Sequence, residues 1–139
     1  MFTDAEVEYL IGQPLGRLAT VGRDGRPHVT PVGVFWDPVS RSVVIGGHNL
    51  AASRKFRDAR ERPDVALVVD DLAAVDPWTP RGIEIRGHAE THSSGGREVG
   101  RRARASFTFE PAWIRIRPRR ILAWGIDTGS FQPTARDVA

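Results

Sequence analysis

The sequence contains no cysteine, and one methionine and one tyrosine among its 139 residues. The lack of cysteine excludes disulfides, catalytic thiolates and cysteine-ligated metals. No apolar run approaches the roughly 20 residues that span a bilayer, so no membrane segment is expected. The first eight residues lack the basic start and apolar block of a signal peptide. We therefore expect a cytoplasmic protein.

Lysine is also nearly absent, since Lys55 is the single lysine among 20 basic residues. The arginines are spread along the chain and are balanced by 17 acidic residues, which leaves a formal net charge of only +3. A dispersed charge of this size is typical of a solvated surface, and we do not expect nucleic acid as a partner. The length and the 40% hydrophobic content predict one domain spanning residues 1–139.

The hydrophobic periodicity predicts many short strands and few helices. A capping box at Thr3–Glu6 opens a predicted helix ending near residue 12. Further helical turns are expected at 49–60 and within 92–104, with a polar loop at 70–80 and a frayed tail from 128. Predicted strands cover residues 15–21, 28–36, 42–46, 65–69, 81–91, 113–117 and 121–126.

Six or seven strands joined mostly by hairpins are incompatible with a parallel, doubly wound sheet. Closing an antiparallel sheet into a barrel removes its exposed edges. The fold class predicted is therefore mainly β, an antiparallel barrel with few helices.

Several segments together resemble the split β-barrel, FMN-binding-like family named after pyridoxamine 5′-phosphate oxidase. The resemblance lies in residues 15–32 with the Asp24-Gly25 turn, in 35–38 (Phe-Trp-Asp-Pro), in Lys55 with 62–70, in 85–89, and in 118–125. It covers nearly the whole chain. The pattern is most similar to the short actinobacterial branch that uses the deazaflavin coenzyme F420 in place of FMN.

The resemblance implies a homodimer with two cofactor sites at the subunit interface, and it assigns Lys55 to the cofactor phosphate. Thr30, Pro31 and Val32 would lie along the cofactor. Ile45, Gly46 and Gly47 would lie near its phosphate-side linker, and Trp78 and Thr79 would come from the partner subunit. The Arg-x-x-x-x-Lys pattern of the true oxidases is absent, because Leu50 stands five residues before Lys55, which argues against FMN and oxidase activity.

The residues around Lys55 favour an anion site without any family argument. A helix that starts at Asn49-Leu50 presents free N–H groups and the positive end of its dipole. Ser53, Arg54, Lys55 and Arg57 add donors on its first two turns. Gly46-Gly47 permits a close backbone approach to a ligand, although a strand end that needs a turn explains it equally well. His48 is able to bond a cofactor, or is a polar residue at a strand end.

No spacing in the sequence indicates a metal site, because His88 and His92 lie four apart on a strand without a third ligand. No hydrolase or nucleotide-binding motif is present, so no catalytic residue is assigned. The function predicted is an F420-dependent reductase that transfers hydride to a small organic substrate. The alternatives are an FMN-binding oxidase or reductase, a single-stranded nucleic-acid barrel that stacks bases on Trp78, Phe107 and Phe109, and a non-catalytic cofactor carrier.

Overall fold

Eight antiparallel strands form one curled sheet in the computed structural model, which describes residues 1–127 and 132–138. The strand order is β2-β1-β5-β6-β7-β4-β3, with β8 paired beside β7. The elements are α1 (Asp4–Gly12), β1 (Leu15–Val21), β2 (Pro27–Gly33), β3 (Phe35–Asp37), β4 (Ser42–Ile45), a 3₁₀ turn (Leu50–Ala52), α2 (Arg54–Glu61), β5 (Asp64–Ala74), β6 (Thr79–His92), α3 (Gly96–Arg102), β7 (Trp113–Trp124) and β8 (Thr134–Asp137).

The sheet curls because its two end strands, β2 and β3, are separated in the chain by Val34 alone. Val34 itself is buried, and its N–H donates to Pro14 O across 2.9 Å. The strands enclose a core of aliphatic side chains, among them the fully buried Leu18, Leu67, Ile83 and Ile114. The predicted class, a mainly β antiparallel split barrel, is confirmed.

Two predicted strand boundaries are wrong. Residues 28–36 form two strands, since the chain turns from β2 into β3 at Val34. Residues 113–124 form the single strand β7, although Pro118 was expected to divide it. The proline is tolerated because the ladder between β6 and β7 shifts register beside it: Arg86 pairs with Arg120, whereas Gly87 pairs with Pro118.

The expected loop at 70–80 is mostly strand, because β5 continues to Ala74 and β6 begins at Thr79. Polar residues in this stretch signalled a loop, but the sheet accommodates them in ion pairs. The Arg81 guanidinium donates to both Asp71 carboxylate oxygens at 2.7 and 2.9 Å. Only the tip around Trp78 remains a turn.

The chain end is also more ordered than predicted. β8 pairs with β7, and Arg136 donates two hydrogen bonds to the buried carboxylate of Glu6 at 2.9 and 2.5 Å. This bond pair fastens β8 to the first turn of α1. Residues 128–131, where the frayed tail was expected to begin, lie outside the described residues. No helix in the described parts of the chain is long and apolar enough to cross a membrane.

Candidate functional site

The predicted helix 49–60 is interrupted at Ser53, so the anion-facing terminus lies four residues later than expected. Leu50–Ala52 is a 3₁₀ turn, and α2 begins at Arg54 with Ser53 as its N-cap. The Ser53 hydroxyl accepts from Phe56 N at 3.3 Å and donates to Leu50 O at 2.6 Å. The first α-helical bond runs from Arg57 N to Ser53 O. The N–H groups of Arg54 and Lys55 precede that bond and point out of the helix start.

The basic side chains of α2 differ in what they contact. Arg57 donates to the buried Asp58 carboxylate at 3.2 and 3.3 Å. Arg54 and the partly buried Lys55 make no hydrogen bond or ion pair with any described residue. Both cations lie in the first turn, where the helix dipole disfavours positive charge. The start of α2 is therefore an electropositive point that an anion would stabilise.

The strand segment assigned to the cofactor offers a polar group with no partner. Thr30 pairs with Leu18 of β1, and its Oγ1 atom is buried without a hydrogen-bond partner in the described parts of the chain. Pro31 points outward and is exposed, whereas the Val32 side chain belongs to the core. Val32 can therefore meet a ligand only through its backbone.

The segment at the end of β4 also contains both buried and accessible residues. Ile45 is buried in the core, and a Cβ on Gly46 would lie 2.2 Å from the Phe109 ring, so Gly46 is required by packing against Phe109. A Cβ on Gly47 would meet nothing within 4 Å, which leaves open space beside that residue. His48 is exposed, and its Nδ1 atom lies 2.5 Å from Glu110 Oε2.

Phenylalanine side chains connect the ends of β2 and β4. The ring centroids of Phe35, Phe107 and Phe109 lie 5.6–5.7 Å from one another. Phe107 lies beside Gly33 at the end of β2, and Phe109 covers Gly46 at the end of β4. The two predicted cofactor segments are thus joined by one aromatic cluster.

Trp78 and Thr79 lie at the turn between β5 and β6. Trp78 is 68% exposed. Thr79 Oγ1 donates to Pro77 O at 2.8 Å. Within one chain, no hydrogen bond or ring contact of the described residues joins this turn to the start of α2.

Sequence reasoning missed three concave features of the described surface. Three surface depressions have volumes of about 450, 470 and 410 Å³, and no predicted cofactor-binding residue lines any of them. The first, which we call the α3 depression, is lined by Arg97, Gly100, Arg101, Ala105, Ser106, Phe107, Thr108 and Phe109. The pair Arg97 and Arg101, four residues apart on one helix, was the available signal.

A buried ion pair holds α3 in place. Arg102 donates to both carboxylate oxygens of Asp37 at 2.8 and 2.7 Å, and Asp37 is fully buried. Burial alone would raise the pKa of Asp37. Donation from Arg102, from Ser40 and from the Val39 N–H outweighs this and lowers the pKa well below its usual range. The carboxylate therefore stays ionised and anchors the helix.

Two further expectations concern other ligands. Among the described residues, no group of three or more His, Asp or Glu side chains is placed to hold a metal ion. In the nucleic-acid alternative, the stacking role given to Phe109 is wrong, because that ring is only 1% exposed.

The curled antiparallel sheet with the three helices of the described residues is a small split barrel. The chain belongs to the pyridoxamine 5′-phosphate oxidase family, because the family profile with that description matches residues 2–132. It is an oxidoreductase of this flavin-binding family.

Individual proteins are also similar to this chain over most of its length. The chain is 43% identical to a 5a,11a-dehydrotetracycline/5a,11a-dehydrooxytetracycline reductase of Streptomyces rimosus, over 91% of this chain and 84% of the relative. It is similar to the crystal structure of a conserved hypothetical protein of Mycobacterium tuberculosis, with a TM-score of 0.68 and 25% identity over 89% of this chain and 85% of the other. It is also similar to an F420 reductase, with a TM-score of 0.58 and 26% identity over 82% and 94%.

Proposed function

We propose that this protein is a homodimeric F420-dependent reductase acting on an unsaturated small organic molecule. The observation that carries the proposal is the Lys55 ammonium in the first turn of α2, next to Arg54; neither side chain has a partner among the described residues. Two cations at a helix N-terminus are unfavourable unless an anion lies between them and the dipole. A cofactor phosphate is such an anion.

The neighbouring groups fit an organic cofactor attached to that phosphate. The orphaned Thr30 hydroxyl would gain a hydrogen-bond partner, and the open space beside Gly47 leaves room for a ligand. Ser53 positions the helix start, while Pro31 and the backbones of Val32, Ile45 and Gly46 would form the wall. His48 would add a polar contact at the rim, where Glu110 now holds it.

When bound, reduced deazaflavin supplies a hydride from its C5 carbon, so the protein's task is binding and orientation. No acid–base pair of side chains is assigned to the reaction, and we propose that water delivers the proton. The named activities of the relatives support a reductase: one reduces dehydro compounds and another is an F420 reductase.

The homodimer is supported by apolar surface that a single chain leaves exposed. Val29 is 67% exposed on the outer face of β2, where Pro31 also points outward. At the tip between β5 and β6, Val75 and Trp78 are 71% and 68% exposed. A second copy that covers these surfaces would bring Trp78 to the cofactor of its partner.

The test is a titration of the purified protein with F420 and, separately, with FMN, followed by fluorescence, on the wild type and on Lys55→Ala. We expect F420 to bind and Lys55→Ala to weaken it about tenfold or more, because a charge-assisted hydrogen bond contributes roughly 1.5–3 kcal/mol. If FMN binds more tightly than F420, the coenzyme in this proposal is FMN instead of F420.

Arg60→Ala is the matched control, since Arg60 is an exposed cation on the last turn of the same helix. It should leave the affinity for F420 unchanged. If Lys55→Ala binds F420 as tightly as the wild type does, the phosphate assignment is wrong. In a separate assay, reduction of added substrates by the F420-loaded protein distinguishes a reductase from a non-catalytic carrier.

A further inference from the structure

The α3 depression combines positive charge with an aromatic wall. Its volume is about 450 Å³, and its lining contains two arginines, two hydroxyl groups and no acidic side chain. Glu98, which lies between the two arginines in the α3 sequence, is exposed, does not line the depression, and makes no hydrogen bond or ion pair within the described residues. Glu110, beyond the other end of the lining segment, is held by His48 and by the Asn49 N–H. The concave surface therefore carries positive charge that none of its own residues neutralises.

Arg97 and Arg101 are exposed, and neither makes a hydrogen bond or ion pair within the described residues. They are four residues apart on α3, so both side chains lie on one face of the helix. Two like charges at this spacing repel each other and mildly destabilise the helix. Their guanidinium groups are suited to hold one carboxylate between them.

The apolar part of the lining is formed by Phe107 and Phe109. Phe107 is 44% exposed, although it packs edge-on against Phe35 at 5.6 Å. Phe109 packs against Phe107, with ring centroids 5.6 Å apart. It also packs closely on Gly100, where a Cβ would come within 2.8 Å of the Phe109 ring. An exposed phenyl ring fixed beside two cations is a surface on which a flat aromatic group can stack.

The depression adjoins the segments assigned to the cofactor. Phe107 neighbours Gly33 of β2, and Phe109 packs on Gly46. Glu110 N, one residue beyond the wall, donates to Gly47 O at 3.4 Å. A ligand in the depression would therefore lie next to the proposed cofactor site.

We propose that the α3 depression binds an aromatic carboxylic acid. Its carboxylate would lie between the Arg97 and Arg101 guanidinium groups, its ring would stack on Phe107, and the Ser106 and Thr108 hydroxyls would bond its polar substituents. Identifying this acid as the substrate of the reductase depends on the proposed function, whereas its binding does not.

The test uses 2-naphthoate and its neutral amide, 2-naphthamide, as probes in calorimetric titrations of the cofactor-free protein. We expect 2-naphthoate to bind at least tenfold more tightly than 2-naphthamide. The double variant Arg97→Gln/Arg101→Gln should lower the affinity for 2-naphthoate at least tenfold and leave the circular dichroism spectrum unchanged. Arg26→Gln, which changes an exposed arginine in the β1–β2 turn, is the matched control and should bind like the wild type.

Equal affinities for acid and amide, or unchanged 2-naphthoate binding in the double variant, would overturn the proposal. A second arm repeats the titration with F420 bound. Retained 2-naphthoate binding supports a substrate site beside the cofactor, whereas competitive loss shows that the glutamate tail of F420 fills the carboxylate site. A protein that binds 2-naphthoate but not F420 would keep this site and refute the proposed function.

Discussion

Lys55 and Arg57 lie two residues apart on α2, and their charges have different surroundings. Arg57 is hydrogen-bonded to the buried Asp58, so its charge is already balanced within the fold. Lys55 is partly buried and has no partner among the described residues. At the residue scale, function is suggested by polar groups that the fold leaves unsatisfied, and Thr30 Oγ1 is a second example.

Thr30→Val separates the ligand role of this hydroxyl from a structural role. Valine has the same shape, and the hydroxyl has no partner among residues 1–127 and 132–138. We expect the free energy of unfolding to stay the same or rise by about 1 kcal/mol, since a buried unpaired group is removed. F420 affinity should fall several-fold. Urea denaturation and the fluorescence titration measure the two effects; a large loss of stability would show that the hydroxyl has a bonding partner.

Gly46→Ala tests whether packing alone requires this glycine. The added Cβ would lie 2.2 Å from the Phe109 ring, so the aromatic cluster has to move. We expect a loss of about 1–3 kcal/mol in the free energy of unfolding, the range for overpacking a core. Gly47→Ala is the control, because its Cβ would meet nothing within 4 Å. Equal denaturation midpoints for the two variants would contradict this assignment.

At the scale of elements, the four-residue strand β8 depends on a side-chain contact with α1. Arg136 donates to the Glu6 carboxylate, and Glu6 also completes the capping box of α1 through the Thr3 N–H. Burial tends to raise the pKa of Glu6. The bonds from Arg136 and Thr3 outweigh it and hold the pKa below the ordinary value of 4.5.

The Glu6 carboxylate makes the free energy of unfolding depend on pH. Because its folded pKa is lowered, Glu6 stabilises the fold above pH 4.5, and that contribution is lost as the pH falls through the folded pKa. We expect the free energy of unfolding to be nearly constant from about pH 7 to 5 and to fall below that range. Urea denaturation at a series of pH values measures the curve.

Glu6→Gln is the comparison for the acid series. It should cost roughly 1–3 kcal/mol at neutral pH, the range for removing a partner from a buried hydrogen bond. Its stability should then fall less steeply in acid, since one titrating carboxylate is gone. A variant curve parallel to the wild type would exclude Glu6 as a source of the acid sensitivity.

At the scale of the whole molecule, the outer face of β1, β2 and β5 carries several apolar side chains beside the exposed Arg17–Asp70 ion pair. The outer side chains of β1 and β2 include the half-exposed Leu15 and the exposed Val29 and Pro31. Across the sheet they continue into the partly buried Ala66 and Val68 of β5, which pair with Ala19 and Arg17. A second copy covering this face would explain its composition.

Val29→Glu tests whether a second copy covers this face. In the proposed homodimer, a charge at this position would be desolvated without a partner, so we expect the variant to be a monomer at micromolar concentration. Sedimentation velocity measures the oligomeric state, and Val39→Glu is the control at another exposed valine. A wild type that sediments as a monomer would refute the dimer, and with it the role of Trp78 in a shared site.

Much of this protein could be predicted from local sequence. Periods of two residues and the Asp24-Gly25 turn predicted the barrel strands, and the Thr3–Glu6 spacing predicted α1, because these signals act between neighbouring residues. Pairing between distant segments was not visible. Pairing between β5 and β6 makes most of the expected loop at 70–80 a pair of strands. Pairing with β6 extends β7 through Pro118, and pairing with β7 orders β8.

The sequence by itself determined the fold class and the family, since these depend on periodicity and motif order, and it made Lys55 the first candidate for a ligand contact. Tertiary structure alone decided which groups are already satisfied. It paired Arg57 and Arg102 with buried carboxylates and packed Gly46 against Phe109. Within the part of the chain that the structure describes, it left Lys55, Thr30 Oγ1, Arg97 and Arg101 without partners. Hydrogen bonds and burial depend on distances between residues remote in the chain, and folding sets those distances.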